Sequence, residues 1–267
     1  MSQILKQFKN KTALITGASS GIGHGFAEYL AKQGIHLIIV ARSTEKLQQL
    51  AQQWQSDYQI RVTVIGLDLS HSDAALQLFE HITQQDLSVD ILINNAGFGK
   101  WTNFLDQSPE SYQQMIMLNI LTLTQLTRLF LPSMLQRQQG IIINIASTGA
   151  FQPLPYIAVY GATKSYVLNF TEALAGEYQN SGVQFLALCP GNTRTNFAEV
   201  AQANTQGMQA MTVDEVICLA ILGLEKQKTV VITGKLNYMT AQLARIVSRQ
   251  FMVNLIAKMF KKRVAMV

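Results

Sequence analysis

A tyrosine and a lysine stand four residues apart in YGATK, as Tyr160 and Lys164. On a helix that spacing puts both side chains on one face. A cation beside a phenol favours the phenolate and lowers the phenol pKa, which would make Tyr160 a usable proton donor or acceptor near neutral pH. Thirteen residues before Tyr160, Ser147 follows the apolar run IIINIA (141–146). If that run is a strand, the serine hydroxyl lies at the carboxyl edge of a sheet, where ligands bind in α/β folds. A Tyr-x-x-x-Lys pair alone occurs on many surface helices. Joined to TGASSGIG (16–23), NNAG (94–97) and a serine at this spacing, it is poorly explained by chance.

The glycine-rich stretch suggests what sits beside that chemistry. Gly17, Gly21 and Gly23 fall within seven residues, after the apolar run TALIT (12–16) and before a helical pattern. Glycines in a first strand-to-helix turn let backbone approach a pyrophosphate, and the helix N-terminus offers free N–H groups and a positive dipole end. The spacing differs from the usual G-x-G-x-x-G fingerprint, though the mechanics are the same. At the end of the second strand an NAD site places Asp or Glu for the ribose 2′-hydroxyl. Here Ala41 is followed by Arg42, with Ser43 and Lys46 beyond. Arg42 suits a 2′-phosphate, which points to NADP. His24, next to the last glycine, adds a partial, pH-dependent charge.

Positioning these residues takes an alternation of strands and helices. Strand candidates are 12–16, 36–40, 61–66, 90–94, 141–146, 183–189 and 229–233, mostly continuous apolar runs of the kind buried on both faces of a parallel sheet. Helical segments are expected at 21–33, 44–55, 72–85, 109–137, 156–180 and 213–226, with Gly34 and Gly140 ending the helices before them. This predicts one doubly wound α/β domain with a seven-stranded parallel sheet, a Rossmann fold, over residues 1–234. Residues 235–267 form a basic helical extension, and 192–212 reads as a loop or lid.

The chain of 267 residues is 48% hydrophobic and 14% charged, which suits a globular enzyme and excludes a disordered chain. Two cysteines exclude a disulfide framework, and no cleaved signal peptide, metal site or membrane-spanning run of roughly 20 residues is expected. The expected location is the cytoplasm. The net charge of +5 is uneven: of 21 basic residues, seven lie in 235–267 with no acid, leaving 14 against 16 acids before them. The body therefore gives no sign of nucleic-acid binding.

At this point the sequence resembles the short-chain dehydrogenase/reductase family in its single-domain form, from residue 11 to about 233. TGASSGIG, NNAG, Asn119 in MLNILT, Ser147, Tyr160 with Lys164, and PGNTRT (190–195) carry the resemblance. It implies an oxidoreductase transferring hydride between a nicotinamide cofactor and a carbonyl or alcohol substrate. It also implies Tyr160 as general acid, Ser147 bonding the substrate oxygen, Lys164 on the nicotinamide ribose and lowering the tyrosine pKa, and Asn119 supporting a proton-relay water. Gly17, Ser19, Ser20, Gly21, Ile22 and Gly23 would hold the pyrophosphate. Asp68 would meet the adenine edge, and Asn95, Ala96 and Gly97 the adenosine side. Pro190, Gly191 and Thr193 would flank the nicotinamide, with Thr195 in the same loop. A homo-oligomer is expected. A cofactor sensor without turnover is the alternative, disfavoured because the Asn-Ser-Tyr-Lys set is complete; a membrane-peripheral scaffold acting through the tail is another.

Phe151, Leu154, Pro155, Tyr156, Phe197, Met208 and Met211 would make the substrate side apolar, fitting a ketone, acyl or steroid-like compound. The tail is similar to tails in a branch with 3-ketoacyl reductase-like and hydroxysteroid dehydrogenase-like members. Its apolar arcs change side near residue 250, so two short helices are expected. They could cover the substrate mouth, build a subunit contact or touch an anionic membrane surface, the first two suiting the apolar arcs better. The cofactor reading has a direct check. Ala41→Asp combined with Arg42→Ser is expected to move the NADPH-to-NADH preference ratio towards NADH by about ten- to a hundredfold, the worth of one charge-assisted contact, as measured by kcat/KM with each nucleotide.

Overall fold

The seven apolar runs form seven parallel strands: β1 Thr12–Thr16, β2 His36–Ala41, β3 Val62–Gly66, β4 Ile91–Asn94, β5 Gly140–Ile145, β6 Val183–Cys189 and β7 Val230–Ile232. The computed structural model describes residues 2–264. Strand order is β3-β2-β1-β4-β5-β6-β7. The order reverses between β1 and β4, which pair as Leu14 with Leu92. A crevice therefore opens beyond their carboxyl ends, the usual ligand position in an open α/β sheet.

Alternate strand residues feed two cores, because strand side chains point to opposite faces in turn. Ala13 and Ile15 of β1 face one layer with Phe26 and Leu30 of α2 (Gly21–Lys32), Trp54 of α3 (Thr44–Tyr58) and Ile217 of α9 (Val213–Glu225). Leu14 faces the other, with Leu78 of α4 (Ala74–Gln84) and Phe130 of α6 (Leu123–Gln136). Each such fully buried side chain contributes about 1.5–3 kcal/mol relative to exposure. The start of α9 is set by a capping box. Thr212 Oγ1 accepts from Glu215 N, and the Glu215 carboxylate accepts from Thr212 N at 2.7 Å.

Several helix boundaries differ from expectation. The segment expected at 109–137 is α5 (Pro109–Ile116), a π-helical turn (Met117–Thr122) and α6, one helical run of 28 residues. By length and composition it is apolar enough to cross a membrane, contrary to the sequence expectation. Its Leu126, Phe130 and Met134 are instead buried in the core. Gly140 does not end α6: it opens β5, and Gln138 takes the left-handed turn (φ 49°). The helix expected at 156–180 is α7, Ala158–Glu177, because Tyr156 is left-handed (φ 68°) and bars helix before it. The helix expected at 44–55 runs on to Tyr58, where Gln59 (φ 56°) ends it.

Under the crevice, a line of buried polar side chains ties the layers. Asn94 Nδ2 donates to Thr127 Oγ1 at 3.1 Å and to Asn144 Oδ1 at 2.9 Å, and Asn144 Nδ2 donates to Thr171 Oγ1 at 3.0 Å. β4, β5, α6 and α7 are thus fixed relative to one another. Asn144→Leu keeps the branched shape but strands its partners. It is expected to cost about 1–3 kcal/mol, read as a lowered urea midpoint at unchanged m-value.

Candidate active site

Three loops meet at the crevice, and one threonine joins two of them. Thr16 ends β1. Its Oγ1 accepts from Asn95 N and from Ala96 N, both at 3.0 Å, and donates to Ile93 O. Asn95 Nδ2 in turn donates to Thr16 O (2.9 Å) and Gly17 O (3.2 Å), so this side chain braces the glycine turn. Gly17 is left-handed (φ 67°), and a Cβ there would stand 2.8 Å from Asn95 Nδ2, so a side chain at 17 is barred twice over. Ser20 is the N-cap of α2 and makes no side-chain cap bond, which leaves the first N–H groups of the helix facing the crevice. Ser19, Gly21 and Ile22 are half-buried around that turn, and Thr195 packs over Gly21. The open cradle and the uncapped helix start fit a dinucleotide pyrophosphate.

Arg42 follows the last residue of β2, is exposed, and lies near Asp68. Burial pushes the Asp68 carboxyl up, but bonds from Ser70 N (2.9 Å) and Ser70 Oγ (2.7 Å), with the charges of Arg42 and His71, hold it below the usual range. Asp68 is therefore a fixed anion and does not cap α4. His24 lies against the Trp54 ring, 5.4 Å between centroids. Burial lowers its pKa, with Lys46 and Lys32 adding to the effect against Glu28. It thus holds less charge near neutrality than the sequence suggested.

The chemical residues converge from β5, the π turn and α7. Ser147 stands just past β5 and caps the 3₁₀ turn Thr148–Phe151, its Oγ accepting from Gly149 N at 3.0 Å. That bond uses a lone pair and leaves the hydroxyl proton to donate. Lys164 is buried, and its Nζ donates to Ile145 O at 2.6 Å. The same ammonium lies 5.7 Å from the centroid of the Tyr160 ring. The π turn supplies Asn119, as π segments often do at functional sites. Its Oδ1 accepts from Phe98 N at 3.2 Å, and its Nδ2 donates to Phe98 O at 2.9 Å and Thr163 Oγ1 at 3.1 Å. Thr163 donates onward to Tyr160 O at 2.7 Å. A Cβ on Gly97 would lie 2.9 Å from Asn119 Oδ1 and 3.6 Å from Lys164 Nζ, so Gly97 keeps open a space that both groups face.

One sequence expectation is overturned by the geometry. Lys164 does not bring the Tyr160 phenol below its ordinary value. Burial raises it to about 12, against the opposing hydrogen bond of Ser147. The same burial drives Lys164 down to about 8. Desolvation dominates because the lysine is buried, the phenol is packed on most sides, and the ammonium is spent on a backbone carbonyl.

On the other side, Thr148 N donates to Pro190 O at 3.0 Å, and Gly191 N reaches Thr233 Oγ1 at 3.4 Å. Thr193 pairs with Met211, which closes the 192–212 segment around a short helix, α8 (Phe197–Val200). Phe197 lies against Tyr160 at 5.5 Å. Of the expected apolar lining, Tyr156 and Phe197 reach the site and Leu154 packs beside Tyr160, whereas Phe151 and Met211 belong to the cores and Met208 is exposed. A small cleft beside Tyr160 is bounded by Lys100, Thr102, Phe104, Tyr112, Met115 and Tyr156. Most of these were not singled out from sequence, since they come from a loop and from α5 with no common spacing. Thr16 and Thr163 were also missed; a threonine at a strand end or inside a helix carries no local signal.

Beyond β7, α10 (Lys235–Ile246) and α11 (Arg249–Val264) form the two expected helices, breaking at 247–248 rather than 250. Met252 and Ile256 of α11 are buried with Leu154 and Ile157 against Tyr160. Asn237 of α10 packs on Gly191 and donates to Thr233 O at 2.7 Å. The tail thus packs beside Tyr160 and over Gly191.

A doubly wound sheet with a glycine turn at its first crossover and a Ser-Tyr-Lys set at its carboxyl edge defines a dinucleotide-dependent dehydrogenase architecture. The chain belongs to the short-chain dehydrogenase family, whose profile matches residues 11–206. Very-long-chain 3-oxoacyl-CoA reductase of Mus musculus is 29% identical over 204 residues, 75% of this chain and 65% of the relative. This chain therefore matches just under two thirds of that relative's length. Among solved structures, a short-chain dehydrogenase from Sphingobium yanoikuyae in complex with NADPH is 33% identical, with a TM-score of 0.80 over 88% of this chain and 93% of the other. A bulky-bulky ketone specific alcohol dehydrogenase from Comamonas testosteroni is 32% identical, with a TM-score of 0.76 over 88% and 92%.

The Thr16 junction generates a test. Thr16→Val leaves the Ala96 N–H without its acceptor and the Asn95 N–H with Ile93 O alone, and loosens the glycine turn. Stability is expected to fall by about 1–3 kcal/mol and nucleotide affinity to weaken, both largely restored by Thr16→Ser, as read by urea denaturation and nucleotide titration.

Proposed function

We propose that the protein is an NADPH-dependent reductase of bulky, apolar carbonyl compounds, a ketone or an acyl chain bearing a 3-oxo group. The observation that carries the reading is the convergence of Ser147, Tyr160 and Lys164 at the carboxyl edge of the sheet. A reduced nicotinamide, when bound, supplies hydride to the carbonyl carbon. The chain's own residues manage the oxygen. Ser147, whose hydroxyl proton faces the Tyr160 oxygen, turns it to the carbonyl oxygen as negative charge develops there. Tyr160, kept protonated by burial, delivers the proton from Oη. Lys164 adds positive charge next to the phenol and can reach ribose hydroxyls through the space left open by Gly97. NADP over NAD is supported by exposed Arg42 after Ala41, with no carboxylate at the end of β2. The apolar class is supported by the aromatic and methionine lining of the cleft and by the names of the relatives.

The reading is tested with NADPH oxidation on a panel of apolar ketones and 3-oxoacyl thioesters. Tyr160→Phe is expected to lower kcat by about 10²–10⁴-fold while nucleotide affinity is kept; near-wild-type turnover would sink the assignment. Reduction needs both protons in place, on Tyr160 and Lys164. Lys164 loses its proton first, near pH 8, and Tyr160 only near 12. The pH profile of kcat/KM for reduction is therefore expected to hold through neutrality and fall above about 8.

A further inference from the structure

Half of the large apolar side chains exposed among the described residues lie on α10 and α11, which make up little more than a tenth of the chain. They are ordered. Met239, Leu243 and Ile246 follow a spacing of four and three along α10, and Phe251, Leu255 and Met259 a spacing of four along α11. Each set forms one stripe. The α11 stripe adjoins the buried stripe of Met252 and Ile256, so this helix has a wide apolar arc, part turned to the core and part outward. Exposed lysines stand among the outward residues: Lys235 four before Met239, Lys258 three after Leu255, and Lys262 three after Met259. The segment 235–267 holds seven basic residues and no acid.

The face is also firmly mounted. Phe260 packs edge-on to Trp101 at 4.9 Å, and Arg263 Nη1 donates to Asn204 O (2.8 Å) and Gln206 O (3.1 Å) of the 192–212 segment. Further exposed apolar groups are Phe104, which lines the cleft, its neighbour Leu105, and Val200 at the end of α8.

We infer that α10 and α11 dock the protein on an anionic lipid bilayer, with the apolar stripes entering the headgroup boundary and the lysines meeting lipid phosphates. Charge selects this occupant. A two-fold contact between copies would set one acid-free basic face against an identical one, which like charges oppose. A nucleic acid would leave the apolar stripes in water. An anionic bilayer satisfies both the apolar and the basic groups. Docking this way sets the substrate mouth at the membrane surface. The inference concerns a surface and does not depend on the reaction or substrate read above.

The test is flotation of the full chain with phosphatidylcholine vesicles and with vesicles containing about a third phosphatidylglycerol. Binding to the anionic vesicles is expected, weakened on the order of tenfold or more by neutral vesicles or by salt at about 0.5 M. Leu243→Ser with Leu255→Ser, and separately Lys258→Gln with Lys262→Gln, should each weaken it by at least about tenfold. All four residues are exposed, so circular dichroism and the thermal midpoint should stay unchanged. Absence of binding to anionic vesicles at low salt would overturn the inference. So would a solution dimer, seen by light scattering, that the serine pair dissociates while vesicle binding persists.

Discussion

The carboxyl edge of this sheet is organised around one costly burial: the Lys164 ammonium, enclosed beside the half-buried Tyr160 phenol. Isolated, such groups would shed charge or recruit water. Lys164 meets the cost with the carbonyl of Ile145, the last residue of β5, at 2.6 Å. That bond fixes where α7 sits along β5 and so fixes Tyr160 one turn earlier. Ser147 follows two residues after Ile145 on the same strand end. The three groups are therefore positioned by one junction between a strand and a helix, with the short turn after β5 orienting Ser147.

Holding that junction requires buried polar groups that bond one another across elements. Asn119 binds both backbone groups of Phe98, and through Thr163 it reaches the turn of α7 that carries Tyr160. Below, Asn94 and Asn144 join the strands to α6 and α7. Within a low-dielectric interior such bonds are strong, and losing one partner is expensive. Rigidity at the site thus comes from buried amides and threonines, and the π turn at 117–122 is the local irregularity that turns Asn119 inward.

The tail extends this logic to the rim. Its inner residues Met252 and Ile256 complete the apolar wall beside Tyr160, and Asn237 fills the space over Gly191. Burial of Tyr160, and hence the protonation state suited to reduction, depends in part on side chains beyond residue 234. A segment that looked separable by composition is built into the environment of the chemistry.

Strand positions, helix order and the parallel sheet were legible because they rest on local periodicity and on turns that require glycine. Gly17 and the Tyr160–Lys164 spacing were legible for the same reason: a short-range geometric demand leaves a short-range trace. Three things were decided only by the folded chain. The Tyr160 pKa moved up, not down, because desolvation depends on everything packed around a group and leaves no mark on its neighbours in sequence. Asn95 turned its side chain to the glycine turn, and Thr16 and Thr163 became junctions, because their partners lie far away along the chain. Gly140, expected to end α6, instead opens β5 against Met134, and Gln138 makes the left-handed turn. Sequence by itself determined which elements form and which chemical groups are available. Tertiary structure decided their protonation and their partners, because both depend on distances between elements that no local pattern encodes.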